Sequence, residues 1–149
     1  MRAGMSLKRL RAGELIALAG AACAVVSLFE PAYHRAVGSL DAWDTFGPAV
    51  ALLIVALAGA LVLVVGNIAE RSSAIPVAAA VWGVLLGIAA VIAMVVRLLE
   101  RPEHATSPAF GAWLGLVGAA MMFAGAWVSI ADERTSLYEH ASPEPRPPP

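Results

Sequence analysis

Charged side chains are scarce in this chain. They make up 14% of its 149 residues, against about 25% in a soluble domain. The shortage is concentrated in blocks. Residues 15–29, 45–69, 72–96 and 105–131 contain no Asp, Glu, Lys or Arg. No cluster of Lys and Arg follows the first dozen residues, and the formal net charge is −1. A basic nucleic-acid footprint is therefore missing, and no nucleic-acid partner is expected. Cysteine is nearly absent as well. Cys23 stands alone, so an intrachain disulfide and a paired-thiol redox or zinc site are both excluded. The residues before it, Gly20-Ala21-Ala22, lack the large aliphatic residue that a lipoprotein signal needs, and "AVVSLF" continues the apolar run beyond it. Cys23 is expected to be a small residue on a helix face. Motifs that carry chemistry are also lacking. There is no HExxH, no GxSxG and no phosphate-cradling glycine loop. No catalytic residue is expected, and no cofactor.

What is present is hydrophobic length. Sixty per cent of the residues are hydrophobic. Three of the four uncharged blocks exceed the ~20 residues that cross a hydrocarbon core as a helix. The first is shorter and would pass for a signal peptide by itself. In a chain with three spans it reads more economically as a fourth, placing Glu14 and Glu30 near the two headgroup regions. The expected spans are residues 12–32, 46–68, 74–97 and 109–131. Helices are favoured because lipid offers no partner to an unpaired backbone group. Pro48, Pro76 and Pro108 sit near the starts of the last three spans, where a missing N–H costs little. Thr45, Ser73 and Ser107 are the nearby N-cap candidates. Short connections predict an up-down antiparallel arrangement. The expectation is an all-α, integral membrane four-helix bundle over residues 1–135. The proline-rich stretch at 136–149 is read as a disordered cytoplasmic tail.

Orientation follows from Lys and Arg. Arg2, Lys8, Arg9, Arg11, Arg71, Arg134 and Arg146 fall on one side, and Arg35, Arg97 and Arg101 on the other. Seven against three puts both termini in the cytoplasm and the protein in the cell membrane as a multi-pass chain. Phe29, Tyr33, Trp43, Phe46, Phe110 and Trp113 then fall near the outer interface, and Trp127 and Tyr138 near the inner one, as an aromatic belt.

Two features bear on function. Gly83 and Gly87, and Gly111 and Gly115, form small-xxx-small pairs that let helix backbones approach closely. Ala17/Ala21 and Ala56/Ala60 share the spacing. Such pairs serve packing within the molecule or contact with a second copy. The other feature is a repeated spacing: "LFEPAYH" and "LLERPEH" each place Glu four residues before His. Each loop then reaches a Phe-Gly. A duplicated hairpin would bring Glu30, His34, Glu100 and His104 together on the outer face, where carboxylate and imidazole are metal ligands. The alternative is that all four are solvated interface charges.

The segments "RAGELIALAG", "SLFEPAY", "AWDTFG", "AIPVAAAVWGVLLG", "VRLLERPE", "GAWLGLVGAA" and "WVSIADER" together resemble an uncharacterised family of small bacterial four-span integral membrane proteins. The resemblance covers all four spans. It implies a four-helix membrane fold and no activity. Members tend to carry Pro-Trp-Tyr after the first span. Here Pro31-Ala32-Tyr33 stands in that place, so no role passes to a tryptophan. Paired loop cysteines, which a claudin would have, are absent.

No ionisable residue lies near the middle of any span. Pumps and proton-coupled carriers place such groups there, and no span is broken by a mid-membrane proline. The expected role is non-enzymatic: a structural or accessory membrane protein whose partners are the lipid bilayer and either a homo-oligomer or another membrane protein. A component of a transporter or oligomeric channel is the alternative. An outer-face metal-binding sensor is the third reading.

Overall fold

A computed structural model describes residues 12–68, 74–100 and 102–140. The chain runs α1 (Ala12–Phe29), β1 (Pro31–Arg35), β2 (Ser39–Asp41), α2 (Ala42–Thr45), α3 (Pro48–Ile68), α4 (Ala74–Leu99), β3 (Ala105–Pro108) and α5 (Phe110–His140). The helices α1, α3, α4 and α5 are each long and apolar enough to cross a membrane. They match the four uncharged blocks. Pro48 is the first residue of α3 and Pro76 lies in the first turn of α4, where proline is tolerated.

The four long helices form a ring. The most extensive packing is α1 on α5; α5 then meets α4, α4 meets α3, and α3 closes on α1. Neighbours run antiparallel. Gly13 and Gly20 at the start of α1 face Gly125 and Gly118, while Ser27 near its end faces Gly115. Residues 12 and 140 therefore lie at the same end of the bundle.

The side-chain distribution inverts that of a water-soluble protein. Among the described residues, 14 of 23 buried hydrophobic residues are alanines, so the helices are held by close backbone approach. Many large side chains point outward, among them Leu15 on α1, Val62 on α3, Ile92 on α4 and Trp127 on α5.

The all-α expectation needs correction. A small antiparallel sheet of strand order β2-β1-β3 covers the end of the bundle opposite residues 12 and 140. The first span ends at Phe29, and residues 31–35, placed partly within it by hydropathy, are strand. The connections explain this. Eighteen residues separate Phe29 from Pro48 and ten separate Leu99 from Phe110, which is more backbone than a tight turn needs. Backbone that is partly buried must find hydrogen-bond partners, and pairing the two connections supplies them. Strands of three to five residues leave no periodicity to read in a sequence. The hairpin turns at Gly38, whose φ of 91° is open to glycine, and the Arg35 N–H donates to its carbonyl (3.1 Å).

Two boundaries also move. α5 continues to His140, past residue 131 and into the segment expected to be disordered. Residues 132–140 contain neither Gly nor Pro to stop it. The rest of that tail, 141–149, lies outside the described residues, as do Ser73 and the side chains of Asn67 and Tyr138. The expected N-caps act otherwise. The Thr45 hydroxyl donates back to the Asp41 carbonyl at 2.7 Å, and Ser107 lies in β3 opposite His34.

Candidate functional site

Two places in the fold concentrate specific contacts: the sheet-covered cap and the seam between α1 and α5.

The cap is built around Tyr33. Ala32 and Tyr33 are fully buried while His34 and Arg35 are exposed, since a bulge between Pro31 and Tyr33 interrupts the alternation. Phe46 is buried too, edge-on to Tyr33 with ring centroids 6.4 Å apart. These two rings are a protein core and leave the expected belt. Phe29, Trp43, Phe110 and Trp113 are exposed at this end of the bundle, and Trp127 is exposed toward the other. The Tyr33 hydroxyl donates to the Arg97 carbonyl. Arg97, in the last turn of α4, donates from Nε to the Phe46 carbonyl at 3.1 Å. Its guanidinium lies over Gly47, where a β-carbon would sit 2.6 Å from Nη2. Gly47 has φ of 49°, so a side chain there is opposed by both backbone and space. Arg97 thus ties the end of α4 to the entry of α3, and Tyr33 ties the sheet to α4. A cation in a helix's last turn also complements the helix dipole. On the other side, the Ala109 N–H donates to the Ala32 carbonyl (2.8 Å). The Thr106 hydroxyl donates to the His34 carbonyl (3.0 Å).

The four metal-ligand candidates lie around this cap. His34 is on β1. His104 sits in the turn before β3 with φ of 69°. Both are exposed, as is Glu100, while Glu30 is half-buried at the end of α1. Pairing of β1 with β3 brings the two histidine-bearing segments onto neighbouring strands. Among the described residues, however, no three His, Cys, Asp or Glu side chains converge as a metal would require. The duplication does not extend to the structure around the two Phe-Gly pairs. Phe46 is buried and Phe110 is exposed. Gly47 lies under Arg97, whereas Gly111 packs on the carbonyls of Glu30 and Pro31.

The seam is made by glycine. β-Carbons placed on Gly13, Gly20, Gly118 and Gly125 would fall 2.5–2.8 Å from atoms of the facing helix. Gly125 is the tightest, 2.5 Å from the Ala17 nitrogen and the Gly13 carbonyl. The small-xxx-small glycines also face inward. Gly87 lies against the backbone of Phe123, Gly83 against Ala126, and Gly115 against Met94 and Ser27. Gly13, Gly20, Gly118 and Gly125 escape a search for four-residue spacings. Their signal is a seven-residue one, Gly13/Gly20 and Gly111/Gly118/Gly125, which keeps one face over two helical turns.

Polar groups in the interior are few. Glu14, expected at the headgroup level, is 2% exposed. The close approach of α5 at Gly13 covers the first turn of α1, where an acidic residue suits the helix dipole. The Ser27 hydroxyl donates to the Ala24 carbonyl at 2.7 Å. The Ser129 hydroxyl is buried beside Gly13 and finds no hydrogen-bond partner among the described residues. Cys23 is half-buried on α1. Between the helices a small apolar gap, partly open to the surroundings and with room for about one water, is lined by Ala17, Ala56, Gly59, Leu63, Gly83 and Met122 among others. Nothing ionisable lines it.

Comparison with protein-family models, with curated proteins and with solved structures finds no match for this chain.

Proposed function

We propose that this protein is a multi-pass integral membrane protein of the cell membrane that works as a structural or accessory component and carries no enzymatic activity. One observation supports this above the rest. Among the described residues, twenty-two large hydrophobic side chains on α1, α3, α4 and α5 are exposed, while most of the buried apolar residues are alanines. In water each such side chain would forgo on the order of 1 kcal/mol of burial at these partial exposures, and together they would exceed the stability of a domain. In lipid the same surface carries no penalty, and small residues at helix interfaces are what dispersion-driven association favours.

Both termini lie in the cytoplasm on this reading, because the seven Lys and Arg outside the cap connections and the three within or beside them follow the positive-inside asymmetry. The cap then faces outward. Its polar contacts tie strands to helix ends, and among the described residues no three of its Glu and His side chains gather as metal ligands. That favours a scaffold over a catalyst or a metal sensor. The apolar lining of the interhelical gap argues against a conduction path through a single copy.

The test has two parts. Single cysteines at Ser39 and Ser136, in a Cys23→Ala background, are labelled in intact cells with a membrane-impermeant maleimide. Labelling at 39 and protection at 136 is expected, and the reverse pattern overturns the orientation. Crosslinking in native membranes should then capture a fixed protein partner, and purified protein in liposomes should pass no ions. Ion flux would replace the accessory reading with the channel one.

A further inference from the structure

We infer that α4 is a self-association surface, and that copies of this chain meet through the stripe Val81, Leu85, Ile88, Ile92, Val95 and Leu99. This rests on the membrane reading above and names a partner for it.

The buried share is lowest on α4, although α1 and α3 leave as many residues exposed. In the most apolar window of α4, 22% of residues are buried, against 39–44% in the other three long helices. What it exposes is also particular. The six stripe residues are 38–77% exposed and follow one another at alternating spacings of four and three. That is the a/d pattern of a knobs-into-holes seam, with Leu85, Ile92 and Leu99 at one set of positions and the β-branched Val81, Ile88 and Val95 at the other. The outward faces of the other helices are interrupted by exposed alanines: Ala22 on α1, Ala51 and Ala58 on α3, Ala120 and Ala124 on α5. An alanine is no knob. On α4 the row runs unbroken for five turns and carries no charge.

The occupant follows from three considerations. Copies inserted with the same topology present α4 parallel and in register, so an a/d row meets its own likeness, as a closed symmetric contact requires. The area is adequate. With Val, Leu and Ile each offering about 150–190 Å² when fully exposed, the stripe shows on the order of 500 Å². Two copies would then cover on the order of 1,000 Å², the lower bound for a specific interface. Finally, the motifs that usually join membrane helices are already used within one molecule. Gly83 and Gly87 face α5, and Gly111 and Gly115 face α1 and α4. Association has to use large side chains, packed by dispersion with left-handed crossing.

Disulfide scanning in native membranes tests this. In a Cys23→Ala background, single cysteines at 85, 88, 92 and 95 should give crosslinked dimers on mild oxidation. Cysteines at Leu86, which packs on Gly59 of α3, and at Ala93, which packs on the core, should not. Fluorophore-labelled protein, diluted in liposomes, should bleach in more than one step, and Ile88→Ala/Ile92→Ala should bleach in one. Crosslinks equal at all six positions, or single-step bleaching of the unmodified chain, would overturn the inference. Either result leaves the membrane reading intact so long as the protein stays in the pellet after alkaline carbonate extraction. Release by carbonate would remove the membrane reading itself.

Discussion

The α1–α5 seam and the α3–α4 seam join their helices by different means. Along α1–α5 four glycines bring backbone to backbone, and an added β-carbon meets main-chain atoms or a β-carbon at 2.5–2.8 Å. Along α3–α4 the corresponding glycine, Gly59, would meet only the Leu86 side chain, at an ordinary 3.6 Å. One seam is intolerant because its neighbours are main chain, which cannot rotate away. The other is cushioned by side chains that can. The difference also separates a rigid half, in which the first and last long helices are locked together, from the half that carries the open face of α4.

Identical substitutions on the two seams should therefore diverge, and this is the largest expected effect. Gly125→Ala should destabilise by about 3 kcal/mol, at the upper end of overpacking costs. Gly59→Ala should be neutral or gain up to about 0.5 kcal/mol from helix propensity. Unfolding in mixed detergent and SDS micelles, followed by tryptophan fluorescence, reads both. Equal costs would erase the distinction. A smaller effect is expected where the cap meets the cushioned half. Tyr33→Phe removes the hydroxyl that reaches the Arg97 carbonyl and should cost about 1 kcal/mol. Amide exchange should speed up in β1 and β3 and stay unchanged along α1 and α5. Faster exchange along α1 would mean that the cap supports the rigid half instead. The smallest effect concerns metal. Zinc dialysis should leave no stoichiometric ion on either the parent chain or the His34→Ala/His104→Ala double variant. Retention lost only in the double variant would restore the outer-face site.

Much of the bundle is legible from composition. An uncharged block longer than a bilayer's core has few options as a structure, and Pro48 and Pro76 mark helix starts for a local steric reason. The four glycines of the intolerant seam were not read from the sequence. Gly111 and Gly115 stand four apart and are easily noticed but pack elsewhere, whereas Gly118 and Gly125 matter only because Gly20 and Gly13 come opposite them. Least legible was the cap. Nothing in "PAYHR" or "ATSP" alternates for long enough to announce a strand, and Tyr33 and Phe46 look like interface aromatics until the sheet closes over them.

What residue types alone determined is the number of long helices and their apolar character, because transfer of a side chain between water and lipid depends on its chemistry and hardly on its neighbours. What only the three-dimensional arrangement decided is which helix lies against which, that two connections pair into a sheet tied to α4 through Tyr33, and that the exposed row along α4 is one without alanine. Those outcomes depend on contacts between residues tens of positions apart, and no local pattern encodes them.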